Sequence, residues 1–384
     1  MTAAASTAGT AQQSTALAQT DWSVVQTPAL TVDVARMDAN IAATAAAFAE
    51  ARVALRPHFK TSKSLQVARR QLAAGAVGFT CSTPAEVRLL AAEGIGGLLW
   101  AHQPVGPGKV QTAVGVAGAS DLTIIVDSLA VAGPVAAAAE AIGTTVPFML
   151  EINTGQGRTG VEPADAAAIV GQLNTLPGLT FRGVLTHEGH LSQYLGHRPA
   201  LESAAVGVGQ SLAAVAASIR DAGIDCPVVS VGSTPGMKSA PFAAGVTEAR
   251  PGTYVYYDAN QVRLGTCTLE QCASSVLTRV VSVNRPGSAI VDAGLKAMSS
   301  DSLGPTTGAG MVVDLHGKPL SGLDFVTANE EHGFLVGAGT ASLRVGDLLR
   351  VIPNHACGTT NMWSRLLAVQ PDGSTEHWEI SARH

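Results

Sequence analysis

Lys60 follows the apolar run Val53 to Leu55, inside the polar segment LRPHFKTSKS from Leu55 to Ser64. A lysine directly after a buried strand is costly unless its charge or its nucleophilicity is used. Partly apolar surroundings are expected to lower its pKa towards neutrality and fit it to act as nucleophile or base. Arg158 is presented by a glycine-rich turn, NTGQGRTGV from Asn153 to Val161. The string departs from a dinucleotide-binding GxGxxG, and Pro163 opens the helix later, so Arg158 reads as a fixed positive charge at a strand end. VVSVGSTPG, Val228 to Gly236, runs from a strand into Gly232, Ser233 and Thr234. Backbone N–H groups and two hydroxyls exposed there suit a phosphate. In RPGTYVYYD, Tyr254 and Tyr256 are expected on one face of a strand, where one of them caps the same phosphate. His355 and Cys357 in VIPNHACGTTN stand at i and i+2. On an extended segment both leave one face, and imidazole with thiolate suits an open, catalytic zinc site better than magnesium or calcium.

The elements that must position these groups alternate. Short apolar runs (ARVALR, VGFTCS, GGLLWAH, LTIIVD, PFMLEIN, FRGVLTH, VVSVGST and ARPGTYVYYD) are separated by Ala-rich amphipathic stretches, several ending in Gly. This predicts a (β/α)8 TIM-like barrel, with a doubly wound sheet as the alternative. In a barrel the strand ends gather on one face: Lys60, Ser82, His102, Asp127, Asn153, His187 with Glu188, and Ser233 with Thr234. For Ser82, His102 and Asp127 the polarity is read simply as loops beginning. After Thr266 short alternating runs punctuated by RPGS, GKPLSG and PDGS turns predict a β domain. The expected organisation is a flexible tail over residues 1–22, a barrel over 23–265 and a C-terminal β domain over 266–384 carrying the metal pair.

Composition excludes several classes. The 384 residues are 46% hydrophobic and carry a formal net charge of −5 without a Lys/Arg cluster, so nucleic acid and anionic membranes are not expected partners. Five Cys without framework spacing speak for a reducing compartment, and Cys267 and Cys272 are read as free thiols. The N-terminus lacks signal-peptide pattern, and no window is expected to span a membrane, so a cytoplasmic enzyme acting on a small molecule is expected.

Taken in order, RPHFKTSKS, NTGQGRTGV, GSTPG, ARPGTYVYYD, NEEHGF (Asn329 to Phe334) and VIPNHAC resemble the fold-type III pyridoxal-phosphate enzymes, specifically the D-threonine aldolase and D-serine dehydratase family. The resemblance covers nearly the whole chain from Ala29 onward. It implies an alanine racemase-like barrel, a C-terminal β domain, a homodimer and a Schiff-base lysine, which Lys60 matches. It further implies that Arg158 approaches the cofactor's phenolic oxygen and that Gly232, Ser233, Thr234 and Tyr256 meet its phosphate. His355 and Cys357 would bind a divalent metal, zinc first, with manganese or magnesium as alternatives. Two departures stand out. Ser62 replaces the histidine of the family's KTHK, and His187, placed here among the cofactor-binding residues, stands where the family often has tyrosine before EGH. Lys63 is expected on the surface of the following helix.

The chemistry so implied is that of a lyase. A metal-bound β-hydroxyl either leaves, dehydrating D-serine or a related 3-hydroxy-D-amino acid to a 2-oxo acid and ammonia, or ionises, giving aldolase cleavage to glycine and an aldehyde. The string HAC looks like the dehydratases, since the aldolases more often carry aspartate at the second position. A non-catalytic cofactor carrier and an amino-acid racemase are the rival readings; the latter needs a second base that the sequence does not single out. Glu330, Glu331 and His332 either line the site or only cap a turn.

Overall fold

A computed structural model describes residues 16–304 and 307–383. The described residues form two compact units: residues up to Ala42 with Thr61–Val67 and Thr253–Ile380, and Ala43–Lys60 with Ala68–Gly252 and Ser381 onward.

The first strand, β1 (Ala29–Asp33), is followed by the strands of the second unit: β2 (Ala54–Leu55), β3 (Phe79–Cys81), β4 (Leu98–Trp100), β5 (Leu122–Val126), β6 (Val146–Glu151), β7 (Leu179–Leu185), β8 (Val228–Val231) and β9 (Glu248–Ala249). These eight are parallel, in the order β2-β9-β8-β7-β6-β5-β4-β3, and a parallel bridge between His58 and Thr80 closes the ring. Seven of them fall on the apolar runs read from the sequence and the eighth, β9, shares only Ala249 with the run ARPGTYVYYD, so the barrel expectation holds with its last strand displaced. Runs such as LTIIV and PFMLE are almost continuously buried, as strands covered on both faces must be. Leu99, Ile125, Met149 and Leu185, one from each of β4 to β7, pack into a single cluster. Gly183 has φ 148°, and a Cβ there would lie 2.0 Å from the Val228 carbonyl oxygen. Only glycine lets β7 and β8 approach at that point.

Helices start where the sequence offers caps: Thr83 accepts from the Glu86 N–H before the helix Pro84–Ala92, and Ser128 from the Val131 N–H before Leu129–Ala141. One described helix, Arg198–Asp221, is by length and composition apolar enough to cross a membrane, contrary to expectation. It packs through Leu201, Ala205, Val208, Leu212, Val215 and Ile219 against β7 and β8, as a barrel helix does.

The first unit is built from β10 (Ser274–Arg285), β11 (Ser288–Val291), β12 (Gly310–Val313), β13 (Asp324–Ala328), β14 (Gly333–Val336), β15 (Leu348–Pro353), β16 (Arg365–Val369) and β17 (Thr375–Glu379), together with β1. The sheet order is β11-β14-β13-β12-β15-β10-β1-β16-β17. The 12-residue β10 also pairs with β11 across two register shifts, so that six strands close into an antiparallel ring. The β domain is therefore present, with one correction: β1 pairs antiparallel with β10 and parallel with β16, so this N-terminal strand belongs to the β sheet and not to the barrel.

A second correction concerns the expected tail. Its part before residue 16 lies outside the described residues, but Ala16 and Leu17 are buried, and Leu17 and Trp22 pack with Leu277 and Val369. The Trp22 indole N–H donates to the Leu17 carbonyl at 3.0 Å, the Arg350 guanidinium lies 5.4 Å from the ring centroid, and the Thr20 hydroxyl donates to the Gly373 carbonyl. None of the described cysteines forms a disulfide. Because Trp22 joins the N-terminal segment to this core, Trp22→Ala is expected to cost about 3 kcal/mol or more of stability, read from denaturant unfolding. A loss under about 1 kcal/mol would contradict the packing described.

Candidate active site

A cavity of about 310 Å³ opens at the strand ends of the barrel. Lys60, Arg158, His187 and Gly232 line it, joined by His58, Ser82, His102, Gln103, Glu151 and Arg250, with Ile125 and Leu185 from the apolar cluster beneath. Four of the expected residues are thus brought together. Ser82 and His102 also line the cavity, which corrects their reading as mere loop starts.

Lys60 sits in a short 3-10 turn, Phe59–Thr61, directly after the His58 bridge. Arg158 is held by a loop that the chain closes on itself: Asn153 N–H donates to the Val161 carbonyl and Val161 N–H to that of Glu151, while the Asn153 carboxamide oxygen accepts from Gly155 and Gly157. Its guanidinium is 3.7 Å from the buried Glu151 carboxylate, which accepts from Gln103 at 2.6 Å. The His187 Nδ1–H donates to the Gly232 carbonyl. Burial, with the charges of Lys60 and Arg158 close by, drives the His187 pKa down to about 3. The ring is therefore neutral, and its Nε2 is an acceptor.

The loop after β8 carries the phosphate expectation. A Cβ on Gly232 would meet the Arg250 guanidinium at 2.7 Å, so the backbone runs directly against a buried cation. Ser233 Oγ accepts from Gly236 N–H, and Thr234 Oγ1 is buried and, among the described residues, has no hydrogen-bond partner. Glu188 is fully buried; it accepts from Gly232 N–H at 3.1 Å, and burial raises its pKa against the nearby Arg250 charge. Arg250 donates to the Ser230 hydroxyl and the Thr186 carbonyl.

Tyr254, Tyr256, His355 and Cys357 belong to the first unit. The tyrosines are not on a strand, as expected, but in and after a 3-10 turn, Thr253–Val255, because β9 ends at Ala249. Both are fully buried; the Tyr256 hydroxyl has no partner among the described residues, and burial pushes its pKa up. The metal segment is not extended either. β15 ends at Pro353, His355 is the extended cap residue, and Cys357 lies in the first turn of the helix Ala356–Asn361. The Asp258 carboxylate accepts from Ala356 N–H at 3.0 Å and from Gln261 N–H, pinning the start of that helix. Cys357 Sγ is 3.1 Å from the Thr61 hydroxyl, and His355 Nδ1 is 2.5 Å from Asp301 Oδ2. Burial lowers the His355 pKa, but Cys357, Asp301 and Asp258 outweigh it and raise it to about 11. Surroundings that hold a proton against burial favour a cation.

The alanine racemase N-terminal domain matches residues 32–260, and a serine dehydratase domain matches residues 273–369. The chain is 39% identical over 370 residues to the D-threo-3-hydroxyaspartate dehydratase of Delftia sp. strain HT23, covering 92% of this chain and 97% of that one. The chain belongs to the fold-type III pyridoxal-phosphate enzymes. The solved structure of that dehydratase superposes with a TM-score of 0.87 at 37% identity, over 93% of this chain and 98% of that one. A histidine-to-alanine and a cysteine-to-alanine mutant of it match as well; the mutated positions lie two apart, and the cysteine mutant is in a metal-free form. A D-threonine aldolase from Arthrobacter sp. is 33% identical over 94% of this chain and 93% of its own.

The residues present fit the family's cofactor: an open buried hydroxyl on Thr234, a loop without a side chain at Gly232, and a lysine in the same cavity. They also fit a metal at His355 and Cys357 by donor type. Among the described residues no group of three or more His, Cys, Asp or Glu side chains is disposed to hold one, so water or substrate would complete the coordination. Lys63 is a correction. It is 4% exposed with φ 47°, before the helix Leu65–Ala73, because the chain turns there instead of starting the helix. NEEHG forms the turn between β13 and β14, and the Asn329 and Glu330 carbonyls accept from Leu295 and Lys296, so it caps a helix. Gln103, Glu151 and Arg250 escaped the sequence reading; the signal available was only that each stands at or just beyond the end of an apolar run.

His187 titrates near 6.5 when unfolded and near 3 when folded, so between these values the unfolded chain binds the extra proton and stability falls as pH falls. His187→Gln is expected to reduce the drop in Tm between about pH 7 and about pH 5 relative to the parent protein. An unchanged or larger drop would contradict a neutral buried ring.

Proposed function

We propose that this chain is a pyridoxal-phosphate- and divalent-metal-dependent lyase that dehydrates 3-hydroxy-D-amino acids, D-serine or a related one, to a 2-oxo acid and ammonia. The observation that carries the choice is the pairing of His355 with Cys357 on the acidic, helix-capped segment after β15, because the same His and Cys spacing is the one mutated in the solved dehydratase.

When bound, the cofactor supplies an electron sink for the pair left at Cα as a bond there breaks. Lys60 is the residue that would hold the cofactor covalently, and its amine is the base that would take the substrate's Cα proton. Arg158, as a donor, and neutral His187, as an acceptor, would hold the cofactor from the cavity wall. Gly232, Ser233 and Thr234 would hold the phosphate, with Tyr254 and Tyr256 assigned to the same group by the resemblance. His355 and Cys357 hold the metal, for which zinc is the reading that imidazole with thiolate supports best, and the chemistry it would supply is Lewis-acid activation of the β-hydroxyl. Ile125 and Leu185 give the cavity an apolar floor that limits water. A homodimer in the cytoplasm is the setting that the family resemblance and the composition support.

Aldol cleavage is the second reading, supported by the identity with the aldolase. Product analysis separates the two. D-Serine is expected to give pyruvate and ammonia, and D-threonine 2-oxobutyrate, with His355→Ala and Cys357→Ala lowering turnover about 10²-fold or more without removing the cofactor. Glycine and acetaldehyde from D-threonine, without 2-oxobutyrate, would contradict the dehydratase reading.

A further inference from the structure

An imidazole offers a metal one ring nitrogen, and the partner of the other nitrogen decides which one. In His355 that partner is Asp301, whose Oδ2 is 2.5 Å from Nδ1. The contact takes up Nδ1–H and leaves the Nε2 lone pair as the donor.

The loop bearing Asp301 is fastened to the helix bearing Cys357. The Thr359 hydroxyl donates to the Met298 carbonyl, and the Trp363 indole N–H donates to that of Ala297 at 2.8 Å. A Cβ on Gly358 would lie 2.8 Å from Ser299 Oγ, so glycine lets the two segments touch. Ser299 takes the left-handed conformation, φ 78°, and redirects the chain two residues before Asp301. From the other side, the Asn329 and Glu330 carbonyls hold the N–H groups of Leu295 and Lys296, and Lys296 pairs with Glu331 at 2.7 Å. The NEEHG turn thus braces the short helix from which the Asp301 loop departs.

Resting on the reading that His355 and Cys357 bind a divalent metal, we infer that Asp301 is a positioning residue for that metal, locking the His355 ring with Nε2 as its donor. Asp301 is not itself part of a three-ligand cluster among the described residues. The side chains of Asp301 and His355 are 59% and 38% exposed, so water can take the place of a removed carboxylate at Nδ1–H.

The test is zinc affinity of the purified protein, measured by competition with a chromogenic chelator, together with the absorption spectrum of the Co2+-substituted form. Asp301→Ala is expected to weaken zinc binding roughly 10- to 100-fold. Its far-UV circular dichroism and metal-free Tm should stay at parental values. Asp301→Asn, which keeps an oxygen to accept Nδ1–H but loses the charge, should fall between the two. Asp301→Ala with parental zinc affinity would overturn the inference, and so would a Co2+ spectrum that changes coordination number, since Asp301 would then be a ligand. If the parent protein binds no zinc while His355→Ala behaves identically, the metal reading itself fails.

Discussion

The buried guanidinium of Arg250 is the constraint around which the barrel end is organised. A fully buried cation survives only if its hydrogen-bonding edge is filled and its charge is met. The Ser230 hydroxyl and the Thr186 carbonyl fill the edge, drawn from the ends of β8 and β7, and the nearby carboxylates Glu248, Glu188 and Glu151 meet the charge. Glu248 in turn accepts from Ser230 and from Arg56 at 2.8 Å, joining β9 and the segment after β2 to the same network. Removing one member would strand another, so the strand ends are fixed in common.

From that network the character of the cavity follows. Burial, and then its cationic wall, keep His187 neutral, Glu151 lies 3.7 Å from Arg158, and Gly232, denied a side chain by Arg250, turns the chain into the loop of Ser233 and Thr234. The cavity is thus prepared for an anionic, planar group before one arrives, which is preorganisation of the kind that lowers the cost of binding. The metal segment reaches a comparable end by other means. Two carboxylates, Asp258 on the helix start and Asp301 on the imidazole, orient His355 and Cys357 and make their surroundings favour a cation.

Local features were legible in the sequence. Seven of the eight apolar runs hold barrel strands because parallel strands bury both faces and so read as continuous hydrophobic runs. Lys60, Arg158 and Gly232, which line one cavity, stood out because a polar or glycine-rich string after such a run has few uses. What failed depended on distant pairing. β1 looks like a barrel strand by periodicity, yet it pairs with β10 and β16 far along the chain. Arg250 reaches Thr186 across 64 positions, and Asp301 reaches His355 across 54, separations that no spacing rule encodes. Tyr254 and Tyr256 were misplaced because β9 stops after two residues and Pro251 follows, so alternation counted from the strand no longer applies. Lys63 was misplaced for a similar reason: a left-handed residue delays the helix start.

Covalent attachment at Lys60 is the claim on which the functional account stands, and it can be read directly. The cofactor-loaded protein, reduced with borohydride and digested, should yield one peptide carrying the pyridoxyl mass, and fragmentation should place that mass on Lys60, with the absorbance near ~420 nm lost on reduction. A label on Lys63 or elsewhere, or no label in a protein that still turns over substrate, would contradict the account.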